Sequence, residues 1–171
     1  MYDVLILVYN LQKPRVFSFD KICINPLNDN ANDTEKHYYS IWPFINNANG
    51  ILYKLYTKQG LGEFECGDEL FDLDYSATAK KSLPYYMYEC NSDVSFSEDL
   101  ISMSIKSAYM NEFEEALSKM IANSPIKTIL FLCRGQSLDK EIILGKVSKR
   151  EFFKLLNNNR AFTNICYIIG E

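Results

Sequence analysis

The 171 residues carry 22 Asp and Glu against 18 Lys and Arg, a formal net charge of −4 with a pI near 5.1. With 47% hydrophobic residues and only seven Gly and five Pro, the composition excludes a disordered, collagen-like or low-complexity chain. The acidic balance also argues against a general nucleic-acid binder, which needs a basic surface to neutralise phosphates, and the length fits one domain spanning residues 1–171.

In chain order, Val4–Tyr9 is a continuous apolar run of the kind that forms a buried strand. Asn10–Pro14 punctuates it, and Arg15–Ile24 resumes the apolar pattern, so a strand–turn–strand unit is expected. Asn25–Lys36 is rich in Asn and Asp and reads as a long exposed loop. Tyr38–Ile45 is aromatic and broken by Pro43; Asn46–Gly50 signals a turn, and Ile51–Thr57 a strand. Gln59–Tyr75 is interrupted by Gly60, Gly62 and Gly67, and Pro84–Cys90 is a Tyr-rich strand candidate. From Ser97 the period changes. Ile101, Ile105, Ala108, Tyr109, Phe113, Ala116, Leu117, Met120 and Ile121 recur at steps of three and four, which predicts one long helix over Ser97–Ala122. Ser95 with Glu98 fits a capping box, Ser97 is a second N-cap candidate, and Asn123-Ser124-Pro125 ends the helix.

The last third is the clearest. Lys127–Arg134 predicts a strand, Gly135–Lys140 a polar turn and Glu141–Val147 a second strand in a hairpin. Ser148 should cap a short helix through Glu151, Asn157–Asn159 should stop it, and Phe162–Ile169 should form a closing strand. The expected class is therefore α+β, with a mixed or mainly antiparallel sheet carrying one long and one shorter helix.

Motifs for covalent chemistry are sparse. The sole His37 lies beside the Asn-rich loop, and the five cysteines are 24 or more residues apart, with no CxxC knuckle. Cys133-Arg134-Gly135 follows a predicted strand, but the chain continues Gln136-Ser137-Leu138 rather than opening a helix that could cradle phosphate. Gly60-Leu61-Gly62 lacks the third glycine of a dinucleotide fingerprint and places Glu65 where a pyrophosphate would be repelled. No catalytic residue, metal site or cofactor is expected. The N-terminus lacks a positive region before its apolar stretch, and no apolar run approaches the roughly 20 residues that span a bilayer. The expectation is a cytoplasmic protein with no membrane or direct nucleic-acid partner.

One stretch concentrates charge. Glu63, Glu65, Asp68, Glu69, Asp72 and Asp74 bring six carboxylates into twelve residues, with Phe64, Phe71 and Tyr75 interleaved and no basic residue among them. Such a stretch repels itself until a basic partner relieves it, and the aromatics supply area that could anchor that partner. The alternation Glu63/Phe64/Glu65 also fits a strand with its aromatic side chain inward and its acids solvated. The imbalance is regional: residues 1–118 hold 18 acids against 9 bases, residues 119–171 hold 4 against 9.

An acidic α+β domain, the Glu63–Tyr75 stretch and a C-terminal strand–helix–strand ending Asn164-Ile165-Cys166-Tyr167-Ile168-Ile169 together resemble small bacterial immunity proteins, including those paired with contact-dependent inhibition toxins. The resemblance implies a non-enzymatic protein that neutralises a cognate toxin domain, such as a nuclease, by occluding a basic active or substrate-binding surface. Two other classes fit the composition: a small cytosolic enzyme working through carboxylates, and a regulatory subunit that offers the long helix to a larger complex.

Overall fold

A computed structural model describes residues 2–27, 49–58, 67–74, 87–90, 101–135 and 142–171. Ten strands form two sheets among these residues. Strand β1 is Tyr2–Tyr9, β2 Ile22–Pro26, β3 Gly50–Thr57, β4 Phe71–Asp74, β5 Met87–Cys90, β6 Ser102–Ile105, β7 Thr128–Gly135, β8 Ile142–Ser148, β9 Ala161–Phe162 and β10 Ile165–Gly170. Helix α1 (Gly67–Leu70) leads directly into β4, α2 spans Met110–Asn123 behind a 3-10 turn at Ser107–Tyr109, and α3 spans Lys149–Asn157. The larger sheet has the order β2-β3-β1-β7-β10-β8-β5, the smaller β4-β6-β9. Only the β8/β10 pair is parallel; the other ladders are antiparallel. The architecture is α+β, as the sequence led us to expect.

The central strands explain the continuous apolar runs. Val4, Ile6 and Val8 of β1 join Ile129, Phe131 and Cys133 of β7 and the helices in one large core, while Leu5, Leu7, Leu130, Leu132 and Cys166 pack on the opposite face. A strand buried on both faces has no reason to alternate apolar with polar residues. An aromatic joint ties the two sheets together through the larger core. The Phe113 ring of α2 meets Phe71 of β4 at 5.5 Å, Phe131 of β7 at 5.9 Å and Phe153 of α3 at 6.0 Å, each edge-on. Phe131 continues the contact to Phe152, and Phe152 to Tyr167 of β10. Burial pushes the Tyr167 phenol above its ordinary pKa, and its hydroxyl accepts a hydrogen bond from the Phe162 N–H at 2.9 Å.

Several local expectations hold. Ser148 and Glu151 form a reciprocal capping box at the start of α3, which ends at Asn157, and α2 ends at Asn123 ahead of Ser124-Pro125. The capping candidates at Ser95, Ser97 and Glu98, the aromatic segment Tyr38–Ile45 and most of the Asn-rich loop fall outside the described residues; β2 itself runs on through Asn25 and Pro26.

Four expectations are corrected. The first two concern strand adjacency. β1 and β2 do not pair, because β3 lies between them and the connection after β1 crosses to the sheet edge. Likewise β7 and β8 are not a hairpin: β10 enters between them, making β8–α3–β10 a parallel crossover. In both cases the inserted strand gains a ladder partner on each side, which a local hairpin between its two neighbours would deny it. The third concerns the long helix. Residues 102–105 form β6, with Met103 and Ile105 both buried, and helical structure begins only at Ser107. Ile101 and Ile105 are spaced as one helical turn, but Met103 between them gives the period of two that the strand uses. At 1.5 Å per residue α2 is roughly 21 Å long, and it buries Phe113, Ala116, Leu117, Met120 and Ile121 as the periodicity requires. Finally, the last strand is broken at Asn164, whose φ of 64° is left-handed. This divides it between the small sheet (β9) and the large one (β10).

Gly50 opens β3 with φ of 154°, and a Cβ there would sit 2.2 Å from the Val8 carbonyl oxygen. Gly50→Ala should therefore lose roughly 1–3 kcal/mol through backbone displacement, read as a lower urea midpoint with unchanged slope. An unchanged midpoint would contradict the close β1/β3 approach.

Candidate functional site

The acidic stretch reaches the structure through α1 and β4, and its side chains divide. Glu69 is half-buried and accepts a hydrogen bond from the Thr57 hydroxyl of β3, so its carboxylate pins α1 to the main sheet. Phe71 is 1% exposed and sits in the aromatic joint. It is therefore not an anchor offered to a partner; a core ring cannot leave without opening the fold. Asp72 and Asp74 are exposed on the other face of β4, opposite Ser104 and Ser102 of β6. Two residues apart on one strand, they are spaced by roughly 6.6 Å. Asp68 belongs to α1, while Glu63, Phe64, Glu65 and Tyr75 lie outside the described residues. What the structure brings together is a pair of solvent-facing carboxylates on the outer strand of the small sheet, seated on a rigid aromatic layer.

Cys133-Arg134-Gly135 is resolved by strand geometry. Cys133 points into the larger core, and Arg134 is fully buried one position along β7, on the strand's other face. Arg134 stands directly across from Asp3 of β1, and the Asp3 carboxylate lies 3.8 Å from the Lys54 ammonium of β3. These three charges, all buried, form a cluster at one end of the second sheet face. Sequence reasoning passed over it. Its signal was a single charge inside each of three apolar strand segments: Tyr2-Asp3-Val4, Tyr53-Lys54-Leu55 and Cys133-Arg134. Asn164 completes this end of β7, accepting from the Gly135 N–H at 2.6 Å and donating its own N–H to the Cys133 carbonyl at 2.7 Å.

A cavity of about 400 Å³ opens where the start of β2 meets the end of β3, lined by Asp20, Lys21, Lys58, Ala108 and Tyr109. Lys21 already spends its polar groups on its neighbours there. The Lys21 ammonium donates to the Ala108 carbonyl at 3.1 Å, the Lys21 N–H donates to the Glu112 carboxylate at 2.9 Å, and the Lys58 N–H to the Lys21 carbonyl.

Among the described residues, no three His, Cys, Asp or Glu side chains are placed to hold a metal ion, and no helix is long and apolar enough to cross a membrane. No protein-family model matches this chain, and neither a curated protein nor a solved structure is significantly similar to it.

Proposed function

We propose that this is a non-enzymatic cytoplasmic immunity protein that neutralises a cognate bacterial toxin domain by covering its active or substrate-binding surface. The observation that carries the reading is the exposure of Asp72 and Asp74 together on one face of an outer strand whose other face is locked into the core by Phe71. A toxin acting on nucleic acid needs a basic surface to hold phosphates. Two exposed carboxylates side by side on one strand present the complementary potential, so encounter is steered and fast at low salt.

The test is co-expression and co-purification with the product of the adjacent gene, followed by kinetics of the complex. Asp72→Lys with Asp74→Lys should lower the association rate roughly tenfold at low ionic strength and flatten its salt dependence. Unchanged kinetics would move the interface away from β4, and toxicity persisting on co-expression would remove the immunity reading altogether.

A further inference from the structure

The connection from β1 to β2 has a character opposite to that of β4. Residues 4–19 contain no acid but include Lys13 and Arg15, in the part of the chain where acids outnumber bases by two to one. Gln12, Lys13, Pro14, Arg15 and Val16 are five consecutive exposed residues, and Val16 is 92% exposed although Phe17 and Phe19 beside it are buried. A lone apolar side chain on a surface is common and marks nothing. What distinguishes this one is the bracing beneath it.

Asn10, in a left-handed conformation, exchanges hydrogen bonds with Asn49: its N–H donates to the Asn49 carbonyl at 2.9 Å, and its side-chain oxygen accepts at 3.1 Å. At the other end the hydroxyl of fully buried Tyr53 accepts from the Arg15 N–H at 2.8 Å and donates to the Arg15 carbonyl at 3.1 Å. Phe17 packs edge-on against the same ring at 5.4 Å. Pro14 fixes one backbone angle between these anchors. The exposed side chains thus stand on a backbone already ordered by folding, and a partner docking there loses little further conformational entropy.

We infer that Gln12–Val16 is a preformed docking loop for a protein surface with an apolar recess ringed by carboxylates, Val16 entering the recess while Lys13 and Arg15 meet the ring. The inference rests on the proposed function, in that this surface is assigned to the same toxin domain, as a contact separate from β4 and of opposite charge.

The experiment compares three variants in complex with the adjacent gene's product: Val16→Asp, the pair Lys13→Glu with Arg15→Glu, and the pair Asp72→Lys with Asp74→Lys. Val16→Asp should speed dissociation at least tenfold, and the Lys13/Arg15 pair should slow association at low salt, with thermal midpoints unchanged because all three residues are exposed. If both loop variants bind as the parent does while the β4 pair is impaired, the docking loop is overturned and the immunity reading stands. Loop variants impaired beside an unaffected β4 pair would support the loop and relocate the interface to it. If the parent chain forms no complex at all, the reading and the loop fall together. Should Val16→Asp lower the thermal midpoint, the Lys13/Arg15 pair alone decides.

Discussion

Phe113→Ala should lower stability by roughly 3–5 kcal/mol, the range for removing a large aromatic ring from a packed core. Phe113 has no exposed surface and meets rings on β4, β7 and α3 at once, so no single neighbour can collapse into the space it leaves. A domain of this kind has about 5–15 kcal/mol in total, so the variant would sit near the edge of folding. Urea denaturation of parent and variant measures the loss directly. The joint also supports β4, which gives the substitution a functional consequence. With the ring absent, Phe71 loses one of the two aromatic neighbours it has among the described residues, and the strand presenting Asp72 and Asp74 loses part of its fixed backing. Phe71→Ala combined with Phe113→Ala should destabilise by less than the two single losses added, because the pair shares one contact. Strict additivity would show that the rings act separately and that β4 is held by something else.

How much of this was legible beforehand follows from the range of the interactions. Ser148 with Glu151, the stop after Asn123 and the apolar face of α2 depend on neighbours within four residues, and the chain spells them out. Strand partners are another matter. β3 separates β1 from β2, and β10 separates β7 from β8, because apolar strands compete for central places in the sheet, a competition settled by contacts far apart in sequence. Residues 101–105 show how short segments mislead: Ile101 and Ile105 satisfy the helical spacing, while Met103 and Ile105 satisfy the strand's. The decision came from pairing Phe71 with Ile105 across the small sheet. The acidic stretch was visible as composition, but the roles of its members were not. Glu69 bonding to Thr57 and Phe71 turning inward depend on where α1 lands against β3.

The buried charges offer the sharpest test of the second sheet face. Asp3 and Lys54 lie on adjacent central strands, both nearly excluded from water, with Arg134 across from Asp3. Removing one member of a buried ion pair is far more damaging than its modest net contribution suggests, because the remaining charge keeps its desolvation penalty and loses its compensation. Asp3→Asn preserves the shape while deleting the negative charge beside the Lys54 ammonium, and it should lower stability by roughly 3–5 kcal/mol. Lys54→Met should also be costly. The informative variant is the double substitution. With both charges gone, neither member of the pair strands the other, although Arg134 keeps its charge, so the double should be less destabilised than the sum by more than the roughly 0.5 kcal/mol expected of independent sites. Chemical denaturation of the four proteins completes the cycle. If the losses simply add, Asp3 and Lys54 are each satisfied by other groups and their 3.8 Å approach contributes nothing; if they couple, the pair helps to hold β1 against β3 at this end of the sheet.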